Sequence, residues 1–158
     1  MLIDTQTTFS GALALDGTKT AQGPITTTQL AINVIDLRSS GLGIGLPALS
    51  EETCAVWLVV QASQAFNNLT SLTISLESDS AASLASAPVV HAAKVIPLAA
   101  LTAGATVLRG KLPSDDYKRY LGLRYTVNGA APTTGTLLAY LVADPQRSLN
   151  FANGFAVL

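Results

Sequence analysis

Charged side chains are scarce in this chain of 158 residues. Nine basic and ten acidic residues leave a formal net charge of −1, and charged residues make up only 12% of the sequence, about half the usual share. Nucleic-acid binding needs several net phosphate contacts, and attraction to an anionic membrane needs a basic surface. The composition therefore argues against both as partners. A surface with so few charges favours assembly with other protein surfaces instead.

Cysteine and histidine each occur only once. Cys54 alone permits no disulfide within the chain and no cysteine-based zinc site, which fits folding inside a cell. It opens an apolar run and is interpreted as a small buried side chain. His91 has neither a nucleophile nor a carboxylate at a suggestive sequence spacing. We therefore interpret it as a structural or surface histidine.

Other arrangements that carry chemistry are incomplete. Asp115 and Asp116 are adjacent carboxylates, but Lys118 and Arg119 close by would repel a cation. The glycine-rich residues 41–45 lack the Lys-Ser/Thr pair and the following helix of a phosphate-binding loop, and they are interpreted as a flexible turn. We therefore expect no catalytic residue, no metal or cofactor site and no small-molecule substrate. The sequence predicts a protein that is not an enzyme.

Alternation of apolar and polar residues with a period of two is the dominant pattern, as in half-buried β-strands. Residues 72–77 and 120–127 alternate clearly, whereas residues 55–60 and 136–142 are apolar on both faces, which is typical of central strands. Further strands are predicted at residues 32–37, 89–96 and 107–111. Residues 80–87 and 114–118 are the candidates for short helices. About eight short antiparallel strands predict a single all-β domain over residues 1–158, a jelly roll or related β-sandwich.

The first thirty residues are rich in Thr, Gln, Ala and Gly and alternate only weakly. One interpretation is an edge strand followed by a loop. The other is an extended N-terminal arm that orders on a neighbouring subunit by adding a strand to its sheet. Both stay open from the sequence.

Tyrosine, arginine and lysine are concentrated in residues 108–129. Tyr and Arg are residue types that often carry interface energy, because each buries a large area and still makes directed polar contacts. In the predicted strand, Leu121 and Leu123 face the core while the alternate residues face outward. The predicted interface residues are Tyr117, Lys118, Arg119, Tyr120 and Arg124. The alternative is a solvated edge whose charges prevent aggregation.

Several segments, taken in order, resemble the capsid cement, or decoration, proteins of tailed bacteriophages, and in particular their short jelly-roll family. The segments are MLID at the start, NVIDL (33–37), AVWLVV (55–60), LTISLESD (72–79), VLRGKLP (107–113), KRYLGLRYTVNG (118–129) and GTLLAYLVADPQ (135–146). Each is ordinary β-strand sequence by itself. The resemblance lies in their order and spacing along nearly the whole chain.

This resemblance implies a jelly roll made in the host cytoplasm and bound to the outer capsid surface of the virion. Its implied partners are the major capsid protein and further copies of itself, as a dimer or trimer. Its implied role is to cement neighbouring capsid subunits and so stabilise the expanded head, without any catalytic residue. The alternative is a carbohydrate-binding or host-adhesion β-sandwich of a phage tail or fibre. That function needs exposed aromatic residues, whereas Trp57 lies in an apolar strand and is interpreted as core.

Overall fold

The structure is a computed structural model, and it describes residues 7–13, 19–37, 56–113 and 115–142. Cys54 and the glycine-rich residues 41–45 lie outside the described residues. The described part contains eleven strands and a short 3-10 turn at Leu98–Ala100. The strands are β1 (Thr8–Ser10), β2 (Ala12–Leu13), β3 (Lys19–Thr20), β4 (Gln29–Leu30), β5 (Ile35–Asp36), β6 (Trp57–Gln64), β7 (Leu69–Asp79), β8 (Val89–Pro97), β9 (Thr106–Lys111), β10 (Tyr120–Gly129) and β11 (Thr136–Val142).

Nine of these strands form two antiparallel sheets. The first sheet has the order β1-β11-β6-β9, and the second has the order β4-β10-β7-β8, with β5 also paired to β10. Since β4 and β5 share one place beside β10, the two sheets offer eight strand positions. The earliest strands lie next to the latest ones, β1 beside β11 and β4 beside β10, as in a jelly roll. The predicted all-β sandwich of about eight antiparallel strands is confirmed.

The main core lies between the two sheets and is filled by alternate residues of the long strands. From one sheet, β7 contributes Leu72, Ile74 and Leu76, and β10 contributes Leu121, Leu123 and Tyr125. From the other sheet, β6 and β11 contribute Leu58, Val60, Ala62, Leu137, Ala139 and Leu141. Each of these sets follows the two-residue period of a strand, which places alternate side chains on one face. The predicted inward positions of Leu121 and Leu123 are therefore confirmed.

A second apolar cluster lies on the opposite face of β6 and β11. Val59, Leu138, Tyr140 and Val142 are buried there, and Trp57 packs against them while remaining partly exposed. Both central strands are thus buried on both faces, as their continuous apolar sequence predicts. Trp57 belongs to this outer cluster and not to the core between the sheets.

Residues 7–13 and 19–30 belong largely to the sandwich of their own chain. Thr8 and Ser10 pair with β11, and Phe9 is fully buried. Gln29 and Leu30 pair with β10. Within the described residues, β1 and β4 are therefore edge strands of the chain's own two sheets.

A buried polar cluster ties this early part of the chain to β10. Ser10 donates to Oε1 of Gln22 at 2.6 Å, and Ser10 Oγ lies 2.6 Å from the hydroxyl oxygen of Tyr125. Because Ser10 has one hydroxyl hydrogen and the Gln22 oxygen only accepts, Tyr125 donates to Ser10. Gln22 also accepts from the Ile32 N–H and donates to the Leu30 carbonyl. Every polar group in this cluster is paired, so its burial stabilises one arrangement of the N-terminal segments.

The two predicted short helices are not observed. Residues 80–87 form turns and bends, and residues 115–118 have no regular structure. Both segments are held by side chains of the second sheet, which supply the hydrogen bonds that a helix would otherwise make internally. These contacts define the candidate site.

Candidate contact surface

The predicted interface residues do not form one exposed stripe. Arg119 is exposed, Lys118, Tyr120 and Arg124 are partly buried, and Tyr117 is only 4% exposed. Three separate environments replace the stripe: a buried tyrosine, an internal arginine bridge and a small exposed group. Each is set by a different neighbouring segment.

Tyr117 is part of the core, so its predicted place on the surface is wrong. Its hydroxyl donates to the carbonyl oxygen of Pro113, and its ring lies 4.4 Å from the ring of His91. Burial, with a smaller contribution from the negative charge of Asp115, raises the pKa of Tyr117 to about 12. The alternation that places outward residues in β10 does not extend to Tyr117, because residues 115–118 are not a strand.

His91 links two strands to the segment before β10. Its Nε2 lies 2.7 Å from Ser78 Oγ, and its Nδ1 lies 2.7 Å from Oδ2 of Asp115. The hydrogen bond from His91 is the main cause of a lowered pKa of the Asp115 carboxyl. A β-bulge places His91 between Ser78 and Asp115. Val90 and Ala92 pair with adjacent residues of β7, so His91 is the extra residue of the bulge.

The order serine, histidine, aspartate is also that of the hydrolytic triad. A nucleophilic serine must be accessible to substrate, whereas Ser78 is buried. Ser78 has no exposed surface and its oxygen already accepts the Lys118 N–H at 2.9 Å, while the Asp115 side chain is half exposed. We interpret the chain of hydrogen bonds as a structural link. Among the described residues, no group of three or more His, Cys, Asp or Glu side chains is placed to hold a metal ion.

Arg124 faces outward from β10, as predicted, but its guanidinium is engaged within the chain. Its Nε donates to both carboxylate oxygens of Glu77, at 2.9 and 3.0 Å, and its terminal nitrogen donates to the Leu84 carbonyl at 3.0 Å. Glu77 is 4% exposed and also accepts from Ser75 at 2.7 Å. Arg124 thus fastens residues 80–88 over the outer face of the second sheet.

Asp79 holds the other end of the same segment. Its carboxylate accepts the backbone N–H groups of Ser80 at 2.6 Å, Ser86 at 3.0 Å and Ala87 at 3.1 Å. Burial raises the pKa of Asp79, but these backbone hydrogen bonds outweigh it, and the net pKa is lowered. A carboxylate that accepts several backbone hydrogen bonds commonly behaves in this way.

The exposed group consists of Arg119, Tyr120 and Asp36. Arg119 makes a two-pronged hydrogen bond to the Asp36 carboxylate, with its Nε at 3.1 Å and its terminal nitrogen at 2.8 Å. The same guanidinium lies 4.9 Å from the centre of the Tyr120 ring. These contacts, above all the hydrogen bond to Asp36, raise the pKa of Arg119. The Arg119 side chain is still 48% exposed, so a fixed guanidinium is presented beside an aromatic ring.

Lys118 completes this surface next to residues 80–88. Its ammonium donates to the Ala87 carbonyl oxygen. Sequence reasoning identified the basic members but missed Asp36 and Glu77, their acidic partners. Asp36 lies 83 residues before Arg119, and Glu77 lies 47 residues before Arg124. Only the pairing of β10 with β5 and β7 brings them together.

We refer to Asp36, Lys118, Arg119 and Tyr120 as the contact group. The charged groups of Asp36, Lys118 and Arg119 have internal partners, which lowers the entropy lost when another surface binds them. Among the described residues, no helix has the length and apolar character needed to cross a membrane.

Comparison with known proteins identifies the family to which this chain belongs. A family model named Bbp16 matches residues 19–141, which is most of the chain and spans β3 to β11. No curated protein matches the chain. The chain therefore belongs to the phage-associated family Bbp16.

Proposed function

We propose that this protein is a structural cement protein on the outer capsid surface of the virion. The observation that carries the proposal is membership of a phage-associated family in a chain whose described residues form a β-sandwich of two antiparallel sheets. In this role it binds the major capsid protein, joins neighbouring subunits and stabilises the expanded head. The proposed role requires neither catalysis nor a cofactor.

The contact group supplies the kind of surface that this role needs. Arg119 and Tyr120 are fixed on the rim of a rigid sheet, where little entropy is lost on binding. Arg and Tyr are also the residue types that dominate measured interface energies. The low charge of the chain allows close approach to another protein surface without strong repulsion.

Many weak contacts are sufficient on a capsid. When copies of a protein are linked, the second binding event becomes effectively intramolecular, and the overall strength rises by roughly 10²–10⁴. We therefore include self-association in the proposal, as a dimer or trimer that bridges adjacent capsid subunits.

Co-sedimentation with expanded heads that lack the protein tests the proposal. Wild-type protein should bind in a saturable manner, and the heads should resist heat or chelators better once it is bound. The double substitution Arg119→Ala with Tyr120→Ala should weaken binding by roughly 10-fold or more. Arg109→Ala is the matched control, because Arg109 is an exposed arginine on β9 in the other sheet.

One result would contradict this function, and another would contradict only the part assigned to the contact group. Wild-type protein that never binds heads under conditions where it is folded would refute the cement role. Binding that is equally strong in the double variant and in the control would leave the cement role intact but remove the contact group from it.

A further inference from the structure

The outer edge of β8 is the most apolar exposed part of the described structure. β8 pairs with β7 on one side, and no described strand pairs with its other side. Val89, Val90 and Val95 are 42%, 55% and 62% exposed, and they are three of the four large hydrophobic residues exposed in the described residues. An edge strand with free backbone groups and apolar side chains is a template for pairing with another chain.

Residues 85–100, which we call the β8 strip, contain no acidic residue and one basic residue, Lys94. Nearly all of the strip is exposed. The ammonium of Lys94 donates to the Val107 carbonyl oxygen at 3.2 Å, so this charge is directed toward the other sheet. The outer face of β8 therefore presents Val90, Ala93 and Val95, whose partners in β7 are Glu77, Ser75 and Thr73.

One of the two edge strands of the other sheet, β9, shows a contrast. β9 carries Arg109 and Lys111, both exposed. Charged side chains of this kind normally keep sheet edges from pairing with other proteins. Charged side chains are thus exposed along β9, whereas the one lysine of β8 has its ammonium bound to the Val107 carbonyl oxygen.

We propose that the β8 strip binds the β8 strip of a second copy of this chain, antiparallel and across a two-fold axis. The proposal deepens the self-association included in the proposed function. A two-fold interface brings the same patch together from both copies, so that patch must complement itself. The strip has no acidic residue, and its one lysine is directed toward the other sheet. Pairing of two strips therefore brings no like charges together, and it covers the valines of both copies.

The area that the proposed dimer interface can bury indicates how stable the dimer should be. Nine residues of strand span about 30 Å, and a stable interface buries at least about 1,200 Å² in total. β8 alone falls short of that area, and the exposed residues 85–88 and 98–100 of the strip extend it. We therefore expect a dimer that dissociates on dilution.

Sedimentation velocity over a wide range of protein concentrations tests this inference on the full chain, without capsids. Wild-type protein should shift from monomer to dimer as the concentration rises. Val95→Lys should raise the dissociation constant at least 10-fold, because it brings two added ammonium groups into the interface. Thr106→Lys is the matched control, since it adds the same charge at an exposed position of β9 and should leave the dimer unchanged.

Three outcomes would overturn the inference: wild-type protein that stays monomeric at all concentrations, Val95→Lys that dimerises like wild type, or Thr106→Lys that dissociates equally. Circular dichroism and thermal unfolding check that both variants fold, and Val90→Lys offers a second position on the same face.

Binding to heads is measured separately. A wild-type protein that stays monomeric but still binds heads refutes only this inference, whereas a wild-type dimer that never binds heads refutes only the proposed function. A monomeric wild type whose Val95→Lys variant loses head binding would assign the strip to the capsid protein instead.

Discussion

The side chain of Leu84 occupies the space above Gly122. Its Cδ1 lies 2.4 Å from the position that a Cβ on residue 122 would take, and Leu84 is fully buried. Leu84 has a backbone φ of +49°, which is uncommon for a residue with a branched side chain. The absence of a side chain at Gly122 therefore allows residues 80–88 to cover the outer face of β10.

Replacement of Gly122 by alanine should displace Leu84 and destabilise the protein. Overpacking of a filled site typically costs about 1–3 kcal/mol, and we expect a loss of that size in the free energy of unfolding by urea. Gly110→Ala is the control, because nothing lies within 4 Å of an added Cβ there. Equal stability of the two variants would show that Leu84 adapts without cost.

Loss of Arg124 should destabilise the fold itself, in contrast to a purely outward arginine. Arg124→Ala removes the guanidinium hydrogen bonds of the buried Glu77 carboxylate, which keeps the bond from Ser75, and it also removes the donor to the Leu84 carbonyl. A buried group that loses its partner costs about 1–3 kcal/mol, and urea unfolding should show a loss in that range. Arg109→Ala, at an exposed site, should have little effect.

A second substitution, at Glu77, distinguishes the effect of an unpaired carboxylate from the effect of lost arginine packing. Glu77→Gln in the Arg124→Ala background removes the unpaired carboxylate, so it should recover part of the lost stability. A further loss of the same size in the double variant would contradict this account of the pair.

Acid should weaken the attachment of residues 80–88 and 115–118 to the second sheet. The pKa values of Asp79 and Asp115 both lie below the ordinary value of 3.8. A carboxyl whose pKa is lower in the folded state stabilises the protein above its unfolded pKa, and this stabilisation is lost as pH falls through the folded pKa. We therefore expect the contribution of both groups to be complete at neutral pH and to fall progressively below about pH 4.

Unfolding free energies measured between pH 7 and pH 2 check this expectation. Asp79→Asn and Asp115→Asn should each be less stable than wild type at pH 7, and the difference should shrink as pH falls. Curves that stay parallel down to pH 2 would mean that neither carboxylate contributes through its charge.

Removal of the Tyr125 hydroxyl should have a smaller effect than removal of the Gln22 amide. Tyr125→Phe leaves the Ser10 hydroxyl its bond to Gln22, so the expected cost is about 0.5–1.5 kcal/mol. Gln22→Leu leaves Ser10, the Ile32 N–H and the Leu30 carbonyl without this partner, so it should cost more. Thermal unfolding of the two variants gives the order, and the reverse order would contradict the assigned hydrogen-bond directions.

The strands were predictable from the sequence because one face of each is buried. In β7 and β10 the alternation gives both the strands and their inward residues, and the double-sided apolar runs identify β6 and β11 as central. The same rule fails for Tyr117, which lies just outside a strand where no alternation applies. It also cannot show that Leu84 and Arg124 meet, since a loop covers the outer face there.

The contact group was only partly predictable for a related reason. Arg119 and Tyr120 stand out by residue type, whereas Asp36 becomes their neighbour through pairing of β5 with β10. His91 meets Ser78 because a bulge adds one residue to β8. Neither the pairing nor the bulge leaves a local signal in one sequence. Contacts across long sequence separations are fixed by the whole sandwich.

Residues 80–87 would be expected to open freely, since they are mostly Ala and Ser and have no regular structure. The Asp79 carboxylate holds the amide hydrogens of Ser80, Ser86 and Ala87, and Leu84 is anchored against β10. Hydrogen exchange at such amides requires opening of the structure that protects them. This segment should therefore exchange with solvent on the timescale of the second sheet, and open and close together with it as one cooperative unit.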